Sequence, residues 1–332
     1  MKKYNIAVVG ATGMVGNMMR QVLEERNLPI ENIYFMSSFR SAGTKIKFMG
    51  SEYIVEELLE NSFDKPIDIA LFSAGGGTSA KFSPIAASKG CVVIDNSSTW
   101  RMDAKVPLIV PEVNPEDVEW NNGIIANPNC STIQAVVALK PLHDAYKIKR
   151  IIYTTFQAVS GAGMSGYKDL ENGLKGEEPQ KFSYPIAGNV IPHIDVFEES
   201  GYTKEEIKLV NETKKIMHDD SLRITATTVR VPVFNGHSES INIEFEKSYD
   251  IAELKKLLQN APGIIVQDDP ANNVYPMPIT ASGKDETFVG RIRRDDTVEN
   301  GLNIWVVADN IRKGAATNAV QIAEELIKRW SK

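Results

Sequence analysis

The sequence predicts an α/β fold in two parts, an open parallel sheet wound with helices followed by an α+β half built on a mixed sheet. Three observations carry this reading. In the first 127 residues, short apolar runs at Ile6–Val9, Ile33–Met36, Ile67–Phe72 and Cys91–Ile94 each end in small polar residues and alternate with helical stretches. That alternation is how parallel βαβ units read in sequence. From about Lys149 the grammar changes: Ile151–Phe156, Leu222–Phe234 and Ser240–Phe245 are long runs with partial alternation and little helix between them. Successive strands of that kind point to a mixed or antiparallel sheet. The length of 332 residues leaves room for both parts.

Composition narrows the class. Hydrophobic residues make up 42% and charged residues 24% of the chain, which is ordinary for a soluble globular protein. The net charge of −6, with no basic run, argues against nucleic acid or an acidic membrane as partner. No apolar stretch approaches the length of a bilayer span, and Met1-Lys-Lys-Tyr-Asn5 leads directly into a strand, leaving no room for a signal peptide. Two cysteines in dissimilar settings do not suggest a disulfide framework, so a reducing cytoplasm is expected. There is no CxxC spacing, and no metal is expected.

The first strand, Ile6–Val9, runs into Gly10-Ala-Thr-Gly-Met-Val-Gly16 and then into a helix from Asn17 to Arg26. Strand, glycine turn and helix in this order form a dinucleotide-binding fingerprint. Its glycines permit a tight turn and close approach to a pyrophosphate, which sits at the helix N-terminus. Gly10, Thr12, Gly13, Met14, Val15 and Gly16 are therefore candidate cofactor contacts. The second strand ends in Ser37-Ser-Phe-Arg40-Ser41, with no Asp or Glu at its tip. A carboxylate there would grip a ribose 2′-hydroxyl, whereas Arg40 and Ser41 accommodate a 2′-phosphate, so NADP is expected over NAD. The strand at Ile67–Phe72 ends in Ser73-Ala-Gly-Gly-Gly-Thr78, which adds Ser73 on the cofactor side.

The most informative chemistry lies in Asn127-Pro-Asn-Cys130-Ser-Thr132. A short strand, Gly123–Ala126, precedes it, and a helix from Ile133 that Pro141 should stop follows it. The Cys130 sulfur then sits where a helix begins, and backbone N–H groups with the positive end of the helix dipole favour the nucleophilic thiolate. Cys91, inside an apolar run, reads as a buried thiol without a role. In the second half, Leu222–Phe234 and Ser240–Phe245 are joined through Asn235-Gly236, a turn signal. Ser160–Gly166 and the 173–192 region read as loops, Ile304–Asp309 as a late strand, and Ala315–Trp330 as an amphipathic helix that packs back onto the first domain.

The chain resembles the aspartate-β-semialdehyde dehydrogenase family over nearly its whole length. The residues carrying the resemblance are Gly10–Gly16, Asn127–Thr132, Gln157 with Ser160-Gly161, Glu212-Thr-Lys-Lys-Ile216, and Arg230 with His237. The resemblance implies a Rossmann-type NADP-binding domain over residues 1–127, onto which the helix of 313–332 returns. It implies a catalytic and dimerisation domain over 128–312, and a homodimer. The implied activity is NADPH-dependent reduction of β-aspartyl phosphate to aspartate semialdehyde with release of phosphate, a step of lysine, threonine and methionine synthesis and so of diaminopimelate synthesis.

It also implies roles. Cys130 would attack the acyl phosphate and form a thioester, which splits a difficult reduction into two easier steps. His237 would be the acid/base residue, deprotonating the thiol and managing the thiohemiacetal proton, work that suits a pKa near neutrality. Gln157 would orient the acyl group, Arg230 would take the substrate carboxylate as a fork, and Glu212 would take its ammonium. Arg101 and Lys215 would hold the phosphate. Lys215 is chosen over Lys214 because it lies three residues after Glu212, on the same helical face. Asn310, Ser160 and Gly161 resemble nicotinamide-side contacts. The nearest alternative is an N-acetyl-γ-glutamyl-phosphate reductase, whose acylated substrate amine would give Glu212 no cation to meet. A catalytically idle NADP-binding sensor is the alternative of another class.

Overall fold

The structure is a computed structural model and describes residues 2–331; Met1 and Lys332, the last residue of the expected returning helix, lie outside the described residues. The chain divides into two compact units. One consists of the residues up to Pro128 with those from Ala315 on, the other of Asn129–Gly314.

The first unit is built on strands β1 (Tyr4–Val9), β2 (Ile30–Ser37), β5 (Glu56–Glu57), β6 (Ile69–Phe72), β7 (Val92–Asp95) and β8 (Ile124–Ala126). They form one sheet in the order β5-β2-β1-β6-β7-β8, and every pair is parallel. Helices α1 (Met14–Arg26) and α2 (Gly76–Ser88) make crossovers, and a two-stranded ribbon, β3 (Lys45–Phe48) with β4 (Ser51–Ile54), follows β2. The C-terminal helix Asn318–Trp330 belongs to this unit. Its buried face, Ala319, Val320, Ile322, Ala323, Leu326 and Ile327, joins Ile6, Val8, Ile69 and Ile94 of the strands in one core.

The strand order reverses direction between β1 and β6, the switch point at which open α/β sheets hold ligands beyond their C-terminal ends. The turn there is set by glycines. Gly10 has φ +83°, and a Cβ on it would fall 2.2 Å from the Ser73 carbonyl oxygen; a Cβ on Gly16 would fall 2.1 Å from the Gly10 carbonyl oxygen. Neither position has space for a side chain.

The second unit carries α3 (Cys130–Tyr146), β9 (Ile148–Gln157), α4 (Gly163–Gly173), α5 (Lys204–Met217), β10 (Arg223–Arg230), β11 (His237–Phe245), α6 (Ile251–Gln259), β12 (Ile264–Val266), α7 (Pro278–Ala281), β13 (Thr287–Asp295) and β14 (Gly301–Ala308). Its sheet has the order β10-β9-β11-β14-β13-β12 and is mixed: β10 and β12 pair in parallel with their neighbours, and the rest are antiparallel. Helix α3 packs against several of these strands and against α5. Nine successive residues of it, Ser131–Leu139, are buried, so it is enclosed on nearly every side.

Three expectations are corrected. The turn Asn235-Gly236 does not join neighbouring strands, because β9 lies between β10 and β11. The long run at Leu222–Phe234 leaves the sheet after Arg230, and Pro232, which has no N–H to donate, sits in the connection. Pro141 does not stop α3, which continues to Tyr146; burial of the helix outweighs the one backbone bond that proline forfeits.

If the glycine turn is as tight as its geometry requires, Gly16→Ala should destabilise the chain by about 2–4 kcal/mol, since backbone rather than a side chain must move. Urea denaturation followed by circular dichroism measures this. An unchanged midpoint would show that the turn yields freely.

Candidate active site

In the first unit a cleft of about 620 Å³ opens at the switch point. It is lined by Gly10, Thr12 and Gly13 from the turn after β1, by Ser37, Ser38, Arg40 and Ser41 after β2, and by Ser73, Ala74, Thr78 and Phe82 at β6 and α2. Helix α1 begins at Met14 with Gly13 as its N-cap, and no side chain caps it, so the first-turn N–H groups point toward the cleft mouth unshielded by a cap. Thr12 and Ser37 hydroxyls bond each other at 3.1 Å. Among the described residues no carboxylate lines the cleft, and the one charged lining residue is Arg40. Of the expected contacts, Gly10, Thr12, Gly13, Arg40, Ser41 and Ser73 line it; Met14, Val15 and Gly16 belong to the first turn of α1, where they position the turn from behind.

Arg101 is also in the first unit and is buried. Its Nε donates to the Asn127 carbonyl at 2.9 Å, and one terminal nitrogen donates to the Asn96 carbonyl at 3.0 Å. Those bonds fix the arginine to the loop after β7 and to the first residue after β8.

The second unit gathers the remaining candidates. Cys130 is the first residue of α3 and Asn129 its N-cap, with Asn129 Oδ1 accepting from the N–H groups of Ser131 at 3.0 Å and Thr132 at 3.3 Å. The thiol is half-buried and is not in a disulfide with Cys91. Two carboxylates from α5 hold this N-cap: Glu212 Oε2 accepts from the Asn129 backbone N–H at 2.6 Å, and Glu205 Oε1 accepts from its side-chain Nδ2 at 2.8 Å. Glu212 is thus anchored at the head of the helix that begins with Cys130, and Lys215 lies three residues further along α5.

Arg230, at the end of β10, is buried. One terminal nitrogen donates to the Ala158 carbonyl at 2.7 Å, and its guanidinium lies 5.9 Å from the centre of the Phe182 ring. Its Nε has no hydrogen-bond partner among the described residues. A buried guanidinium with donors to spare is suited to an incoming anion. Burial pushes its pKa down, and the charges of Glu205 and Cys130 act against that.

His237 opens β11 and is wholly buried. Its Nδ1 accepts from the Ala158 backbone N–H at 3.0 Å. Since a backbone N–H can only donate, the neutral ring keeps its proton on Nε2, which has no partner among the described residues. Burial first, and then the charge of Arg230, push the pKa of His237 well below the ordinary histidine range. The expectation of a pKa near neutrality is corrected accordingly. At neutral pH this residue is a neutral donor through Nε2–H, and it has no lone pair there with which to take the thiol proton. Gly161 leaves the space in front of both groups open, because a Cβ on it would lie 2.9 Å from Arg230 Nη1 and 3.1 Å from His237 Nε2.

Gln157 ends β9 with its Nε2 on Glu205 Oε1 at 3.1 Å. Asn310 braces the site from the far side: its Oδ1 accepts from the Gly236 N–H at 2.9 Å, and its Nδ2 donates to Ser160 Oγ at 3.0 Å. Glu205 and Asn129 were missed in the sequence, although a signal was available. Thr203 and Glu206 form a capping box at the start of α5, which puts Glu205 and Glu212 two turns apart on one face.

Comparison with known proteins identifies the family. A family model described as the NAD binding domain of semialdehyde dehydrogenase matches residues 5–121, and one described as the dimerisation domain of semialdehyde dehydrogenase matches residues 139–313. Fold and site therefore define a semialdehyde dehydrogenase, an oxidoreductase with a nicotinamide-binding domain. The aspartate-semialdehyde dehydrogenase of Aquifex aeolicus is 60% identical over 335 residues, covering 98% of each chain. That of Campylobacter jejuni is 51% identical over 342 residues, covering 100% of this chain and 99% of its own. A crystal structure of aspartate semialdehyde dehydrogenase II complexed with ASA from Vibrio cholerae superposes with a TM-score of 0.95 at 47% identity, covering 99% of both chains. The chain belongs to the aspartate-semialdehyde dehydrogenase family.

The histidine geometry carries a pH signature. Below about pH 6.5 the unfolded chain protonates His237 and the folded chain does not, so the unfolded state binds more protons and stability falls as pH drops. Melting temperatures recorded from pH 7.5 down to about 5.5 should decline, and His237→Asn, which still accepts from Ala158, should flatten part of that decline. An identical slope in the variant would mean that the ring is charged in the folded protein.

Proposed function

We propose that the chain reduces β-aspartyl phosphate to aspartate semialdehyde with release of phosphate, using NADPH, through a thioester on Cys130. The observation that carries this reading is the buried Arg230, with an unmatched donor beside a thiol at a helix N-terminus. Such a site wants a substrate with an anionic end and an electrophilic carbonyl. The ASA held by the Vibrio cholerae relative, which we read as aspartate semialdehyde, is of that kind.

Arg230 takes the substrate carboxylate, and Glu212 takes its ammonium while also holding Asn129. Arg101 and Lys215 hold the phosphate. Cys130 attacks as the thiolate: a C–S bond forms, the C–O bond to phosphate breaks, and phosphate leaves with the electron pair. The helix N-terminus and Arg230 favour that thiolate, so the histidine need not remove its proton. The nicotinamide, when bound, supplies the hydride that reduces the thioester carbon. Gln157 and His237 Nε2–H donate to the oxygen that then bears negative charge, and its collapse expels the thiolate and leaves the aldehyde. Thiolate enters and thiolate leaves, so a neutral hydrogen-bond donor at His237 is sufficient.

The cofactor cleft fits NADP on its own terms. Arg40 with Ser37, Ser38 and Ser41 offers donors to a 2′-phosphate, and no carboxylate among the described residues lines the cleft to repel it. Gly10, Thr12, Gly13, Met14, Val15, Gly16 and Ser73 would hold the pyrophosphate side, with Ser160, Gly161 and Asn310 toward the nicotinamide. Residues 1–127 with the returning 313–332 segment make the NADP-binding domain, and 128–312 the catalytic and dimerisation domain. A homodimer is supported by the family model of the second unit and by Leu174, Tyr184, Val190, Val196 and Phe197, apolar and exposed along one segment. We place the enzyme in the cytoplasm, in lysine, threonine, methionine and diaminopimelate synthesis. Among the described residues no helix is long and apolar enough to cross a membrane.

The direct test is NADP⁺ reduction with aspartate semialdehyde plus phosphate, run beside N-acetylglutamate semialdehyde. Only the first should turn over well; preference for the second would replace the substrate assignment. In the same assay Cys130→Ser should lose about a thousandfold or more of kcat while still binding NADP, because an ester resists the reduction. Retention of wild-type turnover would end the covalent mechanism.

Arg40→Ala should weaken NADP binding about 10- to 100-fold, the scale of a charge-assisted bond, and leave NAD nearly unchanged. Equal losses for both cofactors would make Arg40 a support of the loop.

A further inference from the structure

One carboxylate that the proposed chemistry does not use lies at the centre of the second unit's polar network. Glu205, in the first turn of α5, is buried. Its Oε1 accepts from Asn129 Nδ2 at 2.8 Å and from Gln157 Nε2 at 3.1 Å. Its Oε2 accepts from Lys208 Nζ at 3.1 Å, and Lys208 also donates to Asp195 Oδ2 at 2.7 Å. Burial alone would push this carboxyl up, but the Lys208 charge and the bonds from Asn129, Gln157 and Lys208 hold it below the ordinary carboxylate range. It is therefore ionised at neutral pH, and an ionised carboxylate can only accept.

We propose that Glu205 is a positioning residue that fixes which end of the Asn129 and Gln157 amides faces which way, and through them sets the Cys130 helix terminus and the donor offered to the substrate. A side-chain amide has an accepting end and a donating end of nearly the same shape, so its partners decide its orientation. An acceptor at Glu205 draws the NH₂ ends of both. Asn129 must then turn Oδ1 to the Ser131 and Thr132 N–H groups, the arrangement found. Reversed, its NH₂ would oppose two donors, and α3 would lose its cap at the turn that begins with Cys130. Gln157 likewise turns Oε1 to Thr155 Oγ1, which donates at 3.0 Å. The second hydrogen on its Nε2 is then the one to meet the substrate oxygen where charge develops. A reversed Gln157 would offer a lone pair instead. The part concerning Gln157 rests on the acyl-transfer reading above; the part concerning Asn129 concerns the thiol alone.

Glu205→Gln tests the proposal because glutamine cannot serve both sides. With its oxygen toward the two amides, its NH₂ meets the Lys208 ammonium; turned around, it opposes two NH₂ groups. Adding Lys208→Met removes the ammonium and frees the first arrangement. Glu205→Gln should lower kcat roughly tenfold or more while leaving the KM for phosphate within about threefold. It should also slow alkylation of Cys130 by iodoacetamide at neutral pH by about threefold or more. The Glu205→Gln/Lys208→Met chain should recover most of both losses. Cys91 stays silent in this measurement, because burial pushes its thiol up to about 12.

The direction of the alkylation change is decisive, since loss of a nearby negative charge alone would favour the thiolate and speed the reaction. Unchanged or faster alkylation in Glu205→Gln, or a double variant no better than the single, overturns the proposal. Alkylation needs no substrate, so it decides this point even if the unmutated protein fails to oxidise aspartate semialdehyde, a failure that would sink the functional reading separately. Should Glu205→Gln not accumulate folded, Lys208→Met decides. It removes the cation bonded to Glu205 and leaves the charge of Arg230 acting on it; the carboxyl rises, and the fall of the alkylation rate toward low pH should begin at a higher pH than in the unmutated protein. Superimposable pH profiles would refute the role.

Discussion

The seating of one helix end governs the chemistry of this chain. At the head of α3, Asn129 Oδ1 accepts from the N–H groups of Ser131 and Thr132 and its carbonyl accepts from the Ile133 N–H, while its Nδ2 donates to Glu205 and its backbone N–H to Glu212. An N-cap contributes about 1 kcal/mol, and hydrogen bonds to charged groups about 1.5–3 kcal/mol each. The two carboxylates therefore fix this end more firmly than the cap does by itself. Both come from α5, whose own start is set by the Thr203–Glu206 capping box. The position of Cys130 thus follows from the phase of a second helix, and that phase follows from a local pair of residues three apart.

Charge is distributed around that end under one restriction, that adjacent buried cations do not coexist cheaply. Arg230 and His237 both face the open space left by Gly161. A guanidinium stays protonated, so the imidazole is the group that gives up its charge. The Ala158 N–H then settles which ring nitrogen keeps the proton. What results is one fixed cation, one neutral donor and a thiol at a positive helix end, an arrangement that favours a thiolate without an imidazolium partner. Glu205 shows the opposite balance. Its burial is offset by Lys208 and two amides, and it remains an anion.

How far the sequence reveals this depends on whether a feature is local. Gly10 and Gly16 announce the nucleotide turn because close backbone approach allows no other residue there. The Cys130 setting is legible because strand, polar turn and helix are contiguous. The pairing of β10 is not legible: Asn235-Gly236 reads as a hairpin turn, yet a strand from 70 residues earlier takes the place between β10 and β11, and nothing local to the turn signals it. Pro141 misleads for a related reason, since its cost is local and the packing that outweighs it is not. The tautomer of His237 depends on a backbone N–H at position 158, distant in sequence, and no inspection of the histidine's neighbours could supply it.

The segment after β14 shows how distant parts of the second unit converge on the same point. Asp309 Oδ1 accepts from the N–H groups of Ile311 and Arg312, and the Gly314 N–H reaches back five residues to the Asp309 carbonyl at 3.0 Å, a wide π-type turn. Such turns recur at functional sites because they displace the backbone from regular helical spacing. Here Gly314 lies against Cys130, where a Cβ on the glycine would fall 2.9 Å from the Cys130 Cβ. Asn310, in the same segment, holds Gly236 beside His237. One short stretch therefore touches the residue before the histidine with a side chain and the cysteine with a glycine that has none. The Cys130 helix end and the residue before His237 are thereby both held by this one segment, while α5 holds the same helix end through Glu205 and Glu212.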